Sequence, residues 1–386
     1  MGTPGDETAV AELWMSVDGK DWRDVSSPVQ SVDVEDHDRL TDKATVVLDD
    51  NTGVLADASF EGLEVRITLG WKAQRAKIFE GVVSAARVIA APGGQRIELT
   101  ALDFTHRMSK HTPTEPVVWN RGETLTKVLT DIVTRAEYRI KVGQIEPTEE
   151  LTFDKTRALR QANVNDWAFV LDLAERQNCL AFLEFDGKNT SEFFFVPIEK
   201  VGTAKPVGTL SYCRGMGDLV EFDFERISSG ALPTRSASTI DPASGAVVDA
   251  PAAPPAPRPE LPAPGTGRDP GLGADRRAAL ESLTELAAAA DAKLAAPTER
   301  VAGAVADPGA AKAKIVPDPT RRLGFSGRGV ATGNVLLRAK SRVSISGISA
   351  WAAGDWYLTK VNHVYRRERS EHRSRASYFT KFAATR

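Results

Sequence analysis

The chain is poor in cysteine and histidine, and one long stretch has no aromatic residue. Cys179 and Cys213 are the only cysteines in 386 residues, too few for a disulfide framework or a four-thiolate zinc site. Both are expected as buried small hydrophobes in a protein assembled in the reducing cytoplasm. His37, His106, His111, His363 and His372 form no HExxH, and none lies at zinc-ligand spacing from a cysteine. The patterns GxGxxG, GxxxxGKS/T and GxSxG are missing as well, so no catalytic residue, cofactor or metal is expected. No apolar run approaches the roughly 18 residues of a membrane helix. Met1 to Val10 lacks the basic-then-apolar order of a signal peptide, so none is expected. A net charge of −3 gives no global pull toward nucleic acid or membrane.

What is present is uneven. Residues 231–320 hold 14 of the 22 prolines and 25 alanines, while all aromatics lie elsewhere. Such a composition cannot bury enough apolar area to offset its ordering entropy. It predicts a flexible linker or a strap docked on a partner. Within it a short helix is expected near 275–294, with Leu280, Leu283, Leu286 and Leu294 near one face and Pro297 closing it. Upstream, residues 1–115 read as a first antiparallel β-domain. "LEVRITLG" sets Leu63, Val65, Ile67 and Leu69 against Glu64, Arg66 and Thr68, and "ATVVLDD" and "QRIELTAL" alternate likewise. Period-2 alternation predicts strands with one wet face.

Residues 116–204 predict an α+β module. Leu125, Val128, Leu129, Ile132, Val133 and Ala136 have helical spacing. Asn165 is a candidate cap for a helix from Asp166 to Gln177 with Trp167, Val170, Leu171 and Ala174 inside, and Asn178 ends it. "CLAFLEFDG" and "SEFFFVP" follow as two strands. Residues 205–230 and 321–386 form a second β-domain, interrupted by 231–320, so the ends of the insertion must lie close together. "LVEFDFERI" alternates Val220, Phe222 and Phe224 against Glu221, Asp223 and Glu225, and "DWYLTKVNHVYR" and "ASYFTKFAATR" are long closing strands. The two β-domains share a faint internal echo.

Charge separates them. Residues 1–60 carry 14 acids and 4 bases; residues 321–386 carry 14 bases and 3 acids. Several residues invite a sharper reading. His363 in "KVNHVY" has no second ligand nearby and reads as a packed strand histidine. His106 and His111 read as part of a connector. "RRERSEHRSR" at 366–375 is a charged hairpin tip or a phosphate patch, and it lacks the interleaved aromatics that nucleic-acid binding favours. Asp49, Asp50 and Asp57 lack the calcium-loop pattern and read as turn acids. In "FFF", either Phe194 or the pair Phe193 and Phe195 must face outward, and an outward ring marks a subunit contact.

Four stretches together resemble the baseplate hub proteins of contractile phage tails and injection systems: the late-control D-type hubs, the T-even hub, and the N-terminal region of type VI spike proteins. They are "DKATVVLDDNTGVLADASFEGLEVRITLGW", "IFEGVVSAARVIAAPGGQRIELTALDFTHRM", "NVNDWAFVLDLAERQNCLAFLEFDG" and "GDWYLTKVNHVYRRERSEHRSRASYFTKFAATR". The resemblance implies a mainly β fold: two tail-tube-like antiparallel β-barrels, an α+β module between them, and a Pro/Ala-rich insertion in the second barrel. It implies a non-enzymatic homotrimer forming a pseudo-six-fold ring between a hexameric tail tube and a trimeric central spike. The implied partners are further copies of the chain, the spike, the tube or its initiator, and wedge or inner-ring proteins. Membrane and specific nucleic acid are not among them. The implied location is the tail baseplate of a virion or injection particle. Because the chain stops at Arg386, a separate spike protein is expected. The opposite charges suggest that acidic and basic β-domains alternate round the ring. Arg338, Arg342, Lys360, Arg366, Arg367 and Phe194 are the candidate interface residues. A tail-associated peptidoglycan hydrolase or glycan-binding protein is the alternative.

Overall fold

A computed structural model describes residues 8–92, 94–185, 190–213, 217–226, 234–240, 246–250, 273–292, 298–300, 320, 325–349, 352–370 and 373–386. The first β-domain holds β1 (Ala9–Ser16), β2 (Arg23–Asp24), β3 (Val29–His37), β4 (Lys43–Asp49), β5 (Glu64–Trp71), β6 (Gln74–Ala91) and β7 (Gly94–Leu102). Its alternation sends Leu13, Val32, Val46, Ile67, Leu69, Ile97 and Leu99 into one aliphatic core, because successive strand side chains point to opposite faces. One expectation fails here. The far face of β5 is not wet: Glu64 and Thr68 are buried, Glu64 meeting Arg107 and Arg139 of the next module and Arg66 lying over the Trp22 ring.

That module holds α1 (Thr105–Lys110), β8 (Val117–Trp119), β9 (Glu123–Thr124), α2 (Leu125–Val133), β10 (Ile140–Ile145), β11 (Thr152–Phe153), β12 (Leu159–Gln161), α3 (Asp166–Arg176), β13 (Cys179–Phe185), β14 (Ser191–Pro197) and α4 (Ile198–Gly202). The Thr124 side chain caps α2 and the Asn165 side chain caps α3, accepting from the Ala168 N–H. Helix α2 stops at Val133, so Ala136 is exposed and outside it. Helix α3 is turned from its expected face: Phe169 and Leu173 are buried with Val170 and Ala174, while Trp167 and Leu171 are half-buried. The Trp119 ring, stacked on Phe169 at 5.6 Å, favours that rotation. The core also takes Met108 from α1, together with Val82 from β6 and Phe104 from the connector after β7. Asn178 ends the helix at φ +51°. Cys179 is buried as expected, but Cys213 is exposed, on the connector after the next strand.

The second β-domain holds β15 (Thr209–Ser211) and β16 (Leu219–Arg226). The insertion contributes β17 (Thr234–Ile240), β18 (Val247–Ala250), α5 (Ala274–Ala292) and β19 (Thr298–Arg300). Then follow β20 (Phe325–Thr332), β21 (Arg342–Ser346), β22 (Gly354–Ser370) and β23 (Arg373–Thr385). The insertion thus carries more than the single expected helix: β18, β17 and β19 form a small sheet. Leu280, Leu283 and Leu286 on α5 are exposed, and Leu294 and Pro297 lie outside the described residues. Arg226 and Phe325, the strand residues that flank the insertion, are cross-strand partners; residue 231, where the insertion was expected to begin, lies outside the described residues. A bulge at Val220 sends Leu219 inward and leaves Val220 exposed, correcting its expected place beside Phe222. This core is aromatic: Phe222 meets Trp356 edge-on at 5.1 Å and Phe382 at 6.0 Å.

The two β-domains do not stand apart. Their strands share one sheet in the order β16-β20-β23-β22-β3-β4-β7-β6-β5-β1-β2, with β21 beside β22 and β15 beside β21. Strands β3 and β22 join them, pairing Val34 with His363 and Val32 with Tyr365. The sheet curls, because β1 touches β3, β22 and β23 although four strands separate it from β3. Trp71 locks that closure: its Nε1–H donates to the Gly333 carbonyl at 2.7 Å, and its ring lies 5.9 Å from Tyr378. A Cβ on Gly333 would stand 2.0 Å from the Tyr378 ring, so this approach needs glycine.

Candidate functional site

The densest chemistry lies where the three modules meet. The loop from Gly333 to Ser341, between β20 and β21, enters the seam with Arg338 and Lys340. The Arg338 Nε lies 2.9 Å from Asp36 on β3, its second terminal nitrogen pairs with Glu184 on β13, and its first donates to the Ile78 carbonyl on β6 at 2.8 Å. One planar guanidinium thus ties three elements, as its fixed fork of donors permits. The Lys340 Nζ lies 2.5 Å from Asp36, 3.6 Å from Glu184 and 3.8 Å from Asp42, and 5.2 Å from the centre of the Phe182 ring. Its backbone sits at φ +65°, a costly conformation for a lysine that these contacts hold in place. Behind it, the Asp42 N–H donates to Asp103 at 3.0 Å, and Asp103 accepts from the Thr105 N–H at 2.8 Å.

Four carboxyls therefore face two cations. Burial pushes the Asp36 carboxyl up, but Lys340 and Arg338 outweigh it and hold the group at about 2. Asp42 goes the other way: burial raises it well above the carboxylate range, and Asp36 and Asp103 add to the rise. Burial also raises Asp103 and Glu184. Burial and mutual repulsion thus push these three acids toward their neutral forms, while Lys340 pulls against the rise. Burial and then Arg338 depress His363 to about 4. Its ring stands 2.7 Å from the Tyr378 hydroxyl and 3.0 Å from the Leu337 carbonyl. It is the packed strand histidine expected from its surroundings.

A second set of charges fastens the α+β module to the buried face of β5. Glu64 pairs with Arg139 at 2.6 Å and Arg107 at 2.6 Å. Glu80 accepts from Arg66 Nε at 2.8 Å and Ser191 at 3.0 Å. Asp166, fully buried in the module, accepts from Tyr138 at 2.6 Å and Gln161 at 2.8 Å and pairs with Arg135.

The candidate interface residues fall in different places. Arg338 is consumed inside the chain. Lys360 pairs with Glu35 across the β3–β22 joint, and Arg366 lies 3.7 Å from Asp33 there. Arg367 donates to the Ser27 carbonyl and the Tyr365 hydroxyl. Arg342 lies 3.4 Å from Asp355 and donates to the Ala204 carbonyl. Much of the opposite charge of the two β-domains thus meets within one chain. Phe193 and Phe195 are the inward pair; Phe194 takes the other face of β14, stacked on Phe182 at 5.3 Å. Asp50 accepts from the Leu55 and Ala56 N–H groups, the turn role expected of it. The seam residues Glu64, Glu80, Asp36 and Lys340 were not singled out from sequence. Their signal in the sequence was weak: Glu80 and Lys340 stand among mostly apolar neighbours, but Asp36 lies in an acid-rich strand and Glu64 on the polar phase of an alternating one.

Among the described residues no cluster of three or more His, Cys, Asp or Glu side chains is arranged to hold a metal ion. None of their helices is long and apolar enough to cross a membrane. The seam can fix geometry: its charges lock three modules in one orientation.

No protein-family model and no curated protein matches this chain. Solved structures do. A tail protein of Neisseria meningitidis MC58 superposes with a TM-score of 0.59 at 11% identity, covering 98% of this chain and 96% of that one. The 43 kDa tail protein of prophage MuSo2 from Shewanella oneidensis gives 0.60 at 11%, covering 98% of each. The fold is that of phage tail proteins. An E. coli component of the type VI secretion system, itself similar to bacteriophage T4 tail proteins, gives 0.52 at 10% identity and covers 92% of this chain and 73% of its own. The first two likenesses each cover 98% of this chain.

Proposed function

We propose that the chain is a structural baseplate hub of a contractile tail or injection machine. Three copies form a ring of six similar β-domains. One face of the ring meets the six-fold tail tube or its initiator and the other seats a trimeric spike; wedge or inner-ring proteins surround it. Its place is the tail baseplate of the assembled particle. The observation that carries this reading is the continuous sheet, which holds two β-domains side by side in one layer about two separate cores. Doubling the domain within one chain lets three-fold and six-fold neighbours share one ring. The role calls for rigid placement and surface complementarity rather than bond chemistry, and the charged seam supplies the rigidity. The test is the mass of the full chain in solution by native mass spectrometry, alone and with its spike protein. A trimer that binds one spike trimer is expected. A chain that stays monomeric at all concentrations sinks the reading.

A further inference from the structure

The charged seam sets a buried primary amine against several carboxyls. The Lys340 side chain is 4% exposed, and those of Asp36 and Asp42 are 2% and 10% exposed. The Lys340 Nζ stands 2.5 Å from Asp36 Oδ1 and 3.8 Å from Asp42 Oδ2. It also donates to the His37 carbonyl at 3.2 Å. Asp42 is held from two sides. Its backbone N–H donates to Asp103, and its Oδ1 accepts from the His37 N–H at 2.9 Å. Oδ2 is the oxygen turned toward the amine.

The two carboxyls differ in state. Lys340 and Arg338 keep Asp36 ionised, at about 2. Burial, then Asp36, Asp103 and Glu184, push Asp42 toward its neutral acid, against the pull of Lys340. The seam thus holds an amine, a carboxylate touching it, and a carboxylic acid just beyond. Those are the nucleophile, the general base and the acyl acceptor of amide formation.

We propose that Lys340 and Asp42 join in an isopeptide bond within the chain, with Asp36 as the general base. Asp36 takes a proton from the Lys340 ammonium, and the freed amine attacks Cγ of Asp42. Negative charge develops on Oδ1, where the His37 N–H already donates. Asp36 passes its proton to Oδ2, which leaves as water with the hydrogen it already carried. Asp36 then takes the second proton from the nitrogen. Ammonium, carboxylate and carboxylic acid become amide, water and a protonated Asp36, and nothing is oxidised or reduced. Fixed proximity replaces a bimolecular encounter. The product also removes one positive and one negative charge from a buried site, where each is costly. With the amine consumed, the larger of the two cationic influences that lower Asp36 is gone, and burial favours its neutral form. Glu184 is the poorer acceptor, because Arg338 pairs with it and its side chain is 26% exposed. The bond ties the turn between β3 and β4 to the loop between β20 and β21, about 300 residues further on. It forms once in each chain, and the contacts given above are those of the unlinked chain.

The test is the intact mass of the denatured full-length chain, followed by a tryptic digest read by tandem mass spectrometry. The wild type is expected to be one water lighter than its sequence. The digest should contain residues 40–43 joined through Asp42 to residues 339–342, with no cleavage after Lys340. Lys340→Arg keeps a cation but loses the nucleophile; Asp36→Asn keeps the acceptor but loses the base. Both are expected at full mass, with native circular dichroism showing that they fold. A wild type at full mass overturns the bond, and so does a lost water that maps away from Lys340. Asp36 and Glu184 lie in other tryptic peptides, so a link from Lys340 to either is distinguished and overturns the choice of Asp42. Loss of water by Asp36→Asn overturns the role of the base. None of these masses bears on whether three copies form a ring.

Discussion

The two β-domains solve the same burial problem differently. The first closes on itself, with β1 returning to β3, β22 and β23 over a core of valine, leucine and isoleucine. In the second, no described strand lies beyond β16, and Trp356, Phe222, Phe382 and Phe325 fill the core. Large rings cover more area per residue than aliphatic side chains, so a few of them fill this core. The closed domain also borrows Tyr365 and Tyr378 from β22 and β23. Its closure therefore depends on the second domain, and the two are expected to unfold together.

The largest effect is expected from Trp356→Ala, which removes a fully buried ring from the second core and should cost about 3–5 kcal/mol. Urea unfolding followed in both domains should remain one transition; two separated transitions would show that the shared sheet does not couple them. Lys340→Met cuts the seam between them. It leaves Asp36 and Glu184 short of a cation, and breaking such a pair costs about 3–5 kcal/mol. Adding Asp36→Asn should cost much less than its effect in the native chain, because the two groups act as a unit. Additive losses would contradict the geometry of the seam.

Acidity probes the joint next. His363 is neutral in the fold, held at about 4 against an ordinary value of 6.5. Between those values the unfolded chain binds more protons, so stability falls as pH drops from 6.5 toward 4, by on the order of 3 kcal/mol. Asp36 adds loss in the same direction, but only below 3.8 as pH falls toward 2. The raised Asp42 acts with the opposite sign: its contribution is lost as pH rises through its folded value. The difference between wild type and His363→Gln isolates the histidine. Parallel stability curves for the two proteins between pH 4 and 6.5 would exclude this role. At the closure of the first domain, Gly333→Ala drives a methyl into Tyr378 and should cost about 1–3 kcal/mol; an unchanged melting temperature would mean the closure is loose. The smallest effect belongs to the exposed pair Lys127–Asp131 on α2, where Lys127→Ala should cost about 0.3–0.5 kcal/mol. A loss there matching that of Lys340→Met would erase the contrast between seam and surface.

Strand alternation was legible wherever one face met a core and the other met water, as in Ala44, Val46 and Leu48. It misled on β5, where Glu64 is buried against Arg139 and Arg107 of a second module. It misled again at Val220, where a bulge shifts the register. On α3 the apolar stripe was wide enough to fit two rotations, and Trp119 from a distant strand chose between them. The acidic and basic halves of the chain were plain from composition. That Asp36, Lys340 and Arg338 would meet inside one chain was not, because about 300 residues separate them.

The amino-acid order by itself determined the local elements, since periodicity, caps and turn residues act over a few neighbours. It also set the place of the insertion and the opposite charge of the two β-domains. Only the tertiary structure decided that the domains share one sheet and that the central charges are buried among three modules. Those outcomes depend on which strand lies beside which, and residue spacing along the chain carries no direct record of that.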